Sequence, residues 1–430
     1  MNNDFKSGLS RRSFMRTLGA ASVAATSLPA FAALQQAPVA APAGGRQRGM
    51  GQGQGQGGND MGERMARPAD AVVISSNENP LGMAPSAMEA ISKLGTGGGR
   101  YHQELKGETV TAFSATFGLK PGYVAFFPGS GGPLDLAFYS NVGPGRDLVV
   151  GEPSYEQGAS AGKTMKAQVF RVPLTPTGAH DVKAMLAATP NAGAYYICNP
   201  NNPTGTMTPK EDIVWLVNHK PAGSVVVIDE AYHHFSTDDS SIDLVAADKD
   251  VIVLRTFSKV YGMAGMRAGF FIAKPELQAK LGTIGVGVSR NGSGVVSIAT
   301  AVAATASVND KGLIPERRKI NKDIRENVLE WMDKNGYGYM KGSQANFFQA
   351  DVKRPGREFS TLMATNDHVY IGRTWAAMPN YVRVTIGTQA EMEKFKVAFK
   401  KAYETAPLPA SAYLDMPYVD APSELNRHLA

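Results

Sequence analysis

Lys259 stands where a lysine could do chemistry. It follows a β-type apolar run, Val251-Ile252-Val253-Leu254, sits among small residues, and has Arg267 eight positions further on. Just past the end of a buried strand, a lysine is open to desolvation, which lowers its pKa and frees its amine. Taken alone, the segment reads equally as a solvated lysine in a common Ser-Lys pair. Asp229 comes at once after a second apolar run, Val225-Val226-Val227-Ile228; an aspartate there is also a natural helix N-cap. Gly129-Ser130-Gly131-Gly132-Pro133 follows a third run, Val124 to Phe127. Glycines let backbone amides approach a phosphate, a following helix adds its positive end, and Pro133 suits a first helical turn. Glycine turns before helices are common for other reasons too.

These pieces belong to a series. The stretch from Arg255 to Gly269, worded Ser-Lys-x-Tyr-Gly-Met-Ala-Gly-x-Arg-x-Gly, resembles the Schiff-base lysine motif of fold-type I pyridoxal-phosphate aminotransferases, in particular the histidinol-phosphate aminotransferase branch. The resemblance recurs in order at Asn77-Glu78-Asn79-Pro80, Arg100-Tyr101, Gly129-Ser130-Gly131, Glu152-Pro153-Ser154-Tyr155, Asn199 to Gly205, Asp229-Glu230-Ala231-Tyr232 and Tyr381 to Gly387, spanning roughly residues 70 to 405. It implies a mostly parallel α/β sheet flanked by helices, a smaller α+β domain, a homodimer and pyridoxal 5'-phosphate as cofactor. The reaction implied is amino-group transfer between an amino acid, or an amino-alcohol phosphate resembling histidinol phosphate, and a 2-oxo acid. A lyase or decarboxylase on the same scaffold would share every cofactor residue. An exported protein that binds the cofactor without catalysis is a further alternative, disfavoured by Lys259, Asp229 and Arg383 occurring together.

The resemblance also assigns roles. Lys259 would hold the cofactor covalently and, once released, move a proton at the substrate carbon. Asp229 would pair with the ring nitrogen, and Tyr232 and Asn202 would hydrogen-bond the phenolic oxygen. Tyr155 would stack on the ring, although an ordinary core tyrosine fits the same segment. Ser130, Gly131, Thr256, Ser258 and Arg267 would cradle the phosphate. The family often has an acidic residue where Gly131 or Gly132 stands, so this cradle lacks one side-chain contact. Tyr101 would reach the neighbouring subunit's phosphate, or else be an exposed loop residue. Arg383 would anchor the substrate's anionic end by two parallel bonds. Arg373 and Asn79 are further substrate candidates, and a plain surface arginine fits Arg373 nearly as well.

The elements that must position these groups are legible as apolar runs. Strands are expected at 71–75, 124–127, 147–150, 168–172, 194–198, 224–228, 251–254 and 269–273, and helices at 85–94, 155–166, 182–188 and 209–217. The central strands are apolar throughout, as in a sheet covered on both faces. Every motif of this region follows a strand end, where such sheets collect ligands. A helix at 313–335, strands at 345–352, 369–372 and 381–386, and helices at 358–364 and 391–403 form the second domain. The expected organisation is 70–107 as an N-terminal segment packing at least in part with the small domain, 108–312 as the large domain and 313–405 as the small one.

The ends read differently. Ser10-Arg11-Arg12-Ser13-Phe14-Met15-Arg16, an Ala-rich stretch to residue 33 and Ala30-Phe31-Ala32 resemble a twin-arginine export signal with a cleavage site, which predicts a periplasmic enzyme loaded with cofactor before export. Without a working signal it would stay cytoplasmic. The apolar stretch is too short and too studded with Ser, Thr, Gly and Pro for a permanent membrane span. Residues 34–69 form a Gly/Gln-rich linker with nothing to bury, and 406–430 form a tail. Residues 1–67 hold eight Lys/Arg against Asp4, Asp60 and Glu63, +5 of the total +6. The basic excess therefore belongs to the leader, which argues against a nucleic-acid partner. Cys198, the one cysteine, reads as a small buried residue, and His102, His233 and His234 show no metal-ligand spacing.

Overall fold

The computed structural model describes residues 67–283 and 296–405. The export-like leader, most of the linker and the tail lie outside these residues. Strand β1 (Val72–Ile74) comes first. Then β2 (Val124–Phe127), β3 (Asp147–Glu152), β4 (Val169–Pro173), β5 (Ala192–Cys198), β6 (Val225–Asp229), β7 (Val251–Thr256) and β8 (Gly269–Ile272) build a seven-stranded sheet in the order β2-β8-β7-β6-β5-β3-β4. Neighbours from β7 to β4 run parallel, and β8 runs antiparallel to both of its neighbours. Every residue of β5, β6, β7 and β8 is buried. The side chains still divide by the period of two. Val226, Ile228, Val251 and Val253 join the core on one face, and Val225, Val227, Ile252 and Leu254 join the core on the other. Each such side chain contributes about 1.5–3 kcal/mol by leaving water.

The second domain has β9 (Gly338–Tyr339), β10 (Phe347–Asp351) and β12 (Tyr381–Thr385) in an antiparallel sheet of order β12-β10-β9. Strand β11 (Val369–Ile371) pairs in parallel with β1, and Gly372 N donates to Arg383 O at 2.8 Å. A separate core of Phe348, Phe359, Phe395, Phe399 and Met392 packs the helices Leu313–Lys334, Gly356–Asp367 and Gln389–Thr405 against these strands.

Among the helices that the apolar runs do not predict are Gln103–Thr116 and Ile298–Asn309. The second is Ala-, Ser- and Thr-rich and packs against both Pro85–Leu94 and Gln103–Thr116, so small residues surround it and no one-sided apolar stripe exists to be read. Ser297 Oγ caps it by accepting from Thr300 N at 3.0 Å. Within 70–107, β1 pairs with β11, and Ser75, Asn77 and Glu78 bond Arg383, Thr385 and Asn346 of the small domain, whereas the helix Pro85–Leu94, with Pro at its first turn, lies on a helix of the large one. Among the described residues no helix is long and apolar enough to cross a membrane.

Candidate active site

The carboxyl ends of the parallel strands open on a cavity of about 530 Å³. Asp229 is the last residue of β6. Its Oδ1 accepts from Ala231 N at 3.1 Å and its Oδ2 from Tyr196 OH at 3.2 Å. Both hydrogen-bond partners are neutral, and burial pushes the carboxyl up to about 6 against their pull and that of the Lys259 charge. Behind it, Glu230 and Arg255 form a buried ion pair at 2.7 Å between the ends of β6 and β7, locking those strand ends together.

Lys259 lies in the connection between β7 and β8. Its Nζ is 3.3 Å from Ser76 O and 5.4 Å from the centre of the Tyr232 ring. The amine lines the cavity on a half-buried side chain. Burial, reinforced by Arg383, lowers its pKa to about 8, while Glu78 and Asp229 pull it upward. Gly262, two residues after Val260, has φ +65, and a Cβ there would meet Gly82 O at 1.8 Å. That contact seats the N-terminal segment directly on the lysine loop.

The anion cradle forms at the other end of the cavity. Gly129 has φ +86, and the helix Gly131–Tyr139 begins two residues later. A Cβ on Gly129 would lie 2.4 Å from Arg267 Nη2. Thr256 Oγ1 donates to Ser258 Oγ at 2.9 Å, and Arg267 Nη1 reaches Ala264 O at 3.1 Å and Ser258 Oγ at 3.4 Å. Ser130, Gly131, Thr256, Ser258 and Arg267 all line the cavity. Tyr155 lines it too; its OH donates to Gln157 Oε1 at 3.0 Å, and Gln157 Nε2 donates to Gly131 O at 2.8 Å. Burial raises the Tyr155 phenol to about 12, so it stays neutral.

The opposite wall comes from the small domain and the N-terminal segment. Arg383 Nη1 donates to Asn202 Oδ1 at 2.8 Å and Nη2 to Ser75 O at 2.7 Å, while its buried Nε has no partner among the described residues. Arg373 also lines the cavity and bonds Glu156 Oε2 at 2.6 Å. Tyr232 OH accepts from Asn77 Nδ2 at 3.1 Å, and Asn77 is held in turn by Thr385 Oγ1.

One expected residue lies elsewhere. Asn79 does not reach the cavity: its Nδ2 donates to Val260 O at 2.9 Å and its Oδ1 accepts from Leu81 N at 3.0 Å. Asn77, in the same Asn-Glu-Asn-Pro motif, lines the cavity instead. Tyr101 is 86% exposed and does not line its own chain's cavity. Gln157, Tyr196 and Asn77 escaped the sequence reading. Asn77 has a visible motif but no mark of which asparagine turns inward; Gln157 and Tyr196 sit in ordinary helix and strand text.

A family model, aminotransferase class I and II, matches residues 69–399. The chain belongs to the class I and II aminotransferases. A histidinol-phosphate aminotransferase from Moorella thermoacetica is 31% identical over 344 residues, covering 77% of this chain and 85% of the relative. An aromatic amino acid aminotransferase from Cutibacterium acnes is 31% identical over 339 residues, 77% of this chain and 93% of its own. Among solved structures, one from Erwinia carotovora atroseptica assigned as a histidinol-phosphate aminotransferase aligns with a TM-score of 0.71 at 28% identity, covering 79% of this chain and 98% of that one.

The aminotransferase is a transaminase of fold type I, and its cofactor is pyridoxal 5'-phosphate. The residues present fit that group. At the cradle, the bare backbone of Gly129 leaves room for the Arg267 guanidinium, with which a Cβ would clash. Asp229 is a buried carboxylate with only neutral hydrogen-bond donors, which a protonated ring nitrogen would complement. Among the described residues no group of three or more His, Cys, Asp and Glu could hold a metal ion.

Proposed function

We propose that this aminotransferase takes donors with one anionic end, a histidinol-phosphate-like amino-alcohol phosphate or an amino acid, and returns the amino group to a 2-oxo acid. The observation that carries this is Arg383. It is buried, its guanidinium hydrogen-bonds neutral oxygens, and its Nε has no partner among the described residues, in the cavity that Lys259 and Asp229 also line. A planar guanidinium binds a carboxylate or phosphate through two parallel bonds and so orients the reacting carbon. Relatives named for histidinol phosphate and for aromatic amino acids support the same class.

When bound, pyridoxal phosphate supplies the electron sink for the pair left when a substrate C–H is broken. The protein's own groups do the rest. The Lys259 amine, its pKa brought toward neutrality, takes and returns the proton at the substrate carbon. Asp229 keeps a negative charge at the floor of the cavity. Tyr232, steadied by Asn77, and Asn202, steadied by Arg383, present hydrogen-bonding groups at one edge. Tyr155 covers one face and excludes water. The test is a panel of amino donors with a 2-oxo acid acceptor. Histidinol phosphate or an aromatic amino acid is expected to give the matching oxo product; no oxo product from any donor would contradict the reading.

Two further readings belong here. The exposure of Tyr101 supports a homodimer in which it completes the partner's phosphate site, checked by solution mass and by weaker cofactor retention in Tyr101→Ala. The leader's Arg11-Arg12 pair and Ala-rich stretch support export of the loaded enzyme to the periplasm, checked by cell fractionation of the parent and an Arg11→Lys, Arg12→Lys variant. Retention of the parent in the cytoplasm would contradict it.

A further inference from the structure

Two guanidiniums face the cavity from the small domain, and they are compensated differently. Arg383 has neutral partners, Asn202 Oδ1 and Ser75 O. Arg373 Nη2 bonds the carboxylate of Glu156 at 2.6 Å, a residue of the large domain that directly follows Tyr155. Both guanidiniums lie against the ring of Trp375, with Cζ 4.7 Å from its centroid for Arg373 and 5.4 Å for Arg383. Trp375 is buried, so it fixes how far apart the two charges stand. The cavity therefore offers one guanidinium with neutral hydrogen-bond partners and a second already paired directly with a carboxylate of the chain.

A substrate with one acid group needs Arg383 alone. A second acid group has to take Arg373 from Glu156 and then lie beside the displaced carboxylate. Repulsion of that kind is how a site rejects a near-match. We propose that Glu156 is a specificity-determining residue, occupying Arg373 so that the site selects substrates with one anionic end over those with two acid groups. The inference rests on the transaminase reading for the role of Arg383. It makes Glu156 the reason why a second arginine in the cavity does not call for a second acid.

The test is calorimetric titration of the cofactor-loaded enzyme with succinate and with 3-phenylpropionate. Neither ligand is an amino donor, so the readout is binding and not turnover. In Glu156→Gln the freed guanidinium gains a charge-assisted bond to the second carboxylate, and succinate is expected to bind about tenfold tighter. Binding of 3-phenylpropionate should change by less than about twofold. Adding Arg373→Gln to that variant should abolish the succinate gain. An unchanged ratio of the two affinities in Glu156→Gln, with or without a lower melting temperature, would mean that the ion pair only ties the two domains together, and would overturn the proposal. A succinate gain that survives the loss of Arg373 would overturn it equally. The donor panel tests the transaminase reading separately.

Discussion

The two walls of the cavity are made in different ways. The cofactor wall comes from strand ends of one sheet, with Asp229 closing β6, Lys259 just beyond β7 and the glycine turn just beyond β2. Register fixes their mutual position, since Asp229 lies opposite Leu254 in β7 and Cys198 in β5. The substrate wall is assembled from remote pieces: Asn77 and Thr385, like Ser75 and Arg383, meet across 308 residues. A wall fixed by sheet register holds a constant cofactor, and a wall gathered from loops and a second domain is free to vary with the substrate.

Breaking the cofactor wall should cost most. Lys259→Ala is expected to lower the turnover number by at least about 10³-fold, from the loss of the general base, as read in a single half-reaction. Asp229→Asn should lower it by on the order of 10²-fold, the usual cost of removing one preorganised electrostatic group. The same change should make the cofactor-free protein more stable. Burial raises this carboxyl from 3.8 to about 6, so the folded chain holds the proton more tightly than the unfolded one. That linkage favours folding below pH 3.8 and is lost as the pH rises through 6. Above pH 6 the asparagine variant is expected to exceed its parent by on the order of 2–3 kcal/mol, with the gap closing toward pH 4. Denaturant melts at several pH values measure this, and a gap independent of pH would deny the buried charge.

The substrate wall should fail more gently and more selectively. Arg383→Gln is expected to lower kcat/KM by about 10–100-fold, mostly through KM, and to leave the cofactor's absorbance as it was. A change in that absorbance would blur the division between the walls. Gly129→Ala is the smallest disturbance. A left-handed residue with a side chain costs about 1–2 kcal/mol, and the Cβ displaces Arg267, so faster cofactor loss on dialysis is expected with little change in KM.

The same division explains what the sequence discloses. Lys259, Asp229 and the glycine turn follow unbroken apolar runs, and a run that ends marks a strand end; all three are visible locally. Asn79 misled because the motif Asn-Glu-Asn-Pro names two asparagines, while only the turn decides which one faces inward. That turn depends on Asn77 at φ +54 and on its bond to Thr385. Glu156 bonding Arg373 spans 217 residues, and no local pattern announces it. The helix Ile298–Asn309 was hidden for a related reason, since burial on several sides removes the stripe by which helices are read.

One measurement bears most directly on the chemistry: reduction of the pyridoxal-phosphate-loaded enzyme with borohydride, followed by proteolysis and mass spectrometry. A pyridoxyl group fixed on Lys259, and abolished in Lys259→Ala, is the result expected. A group fixed on another lysine, or on none, would contradict the cavity's assignment at its root.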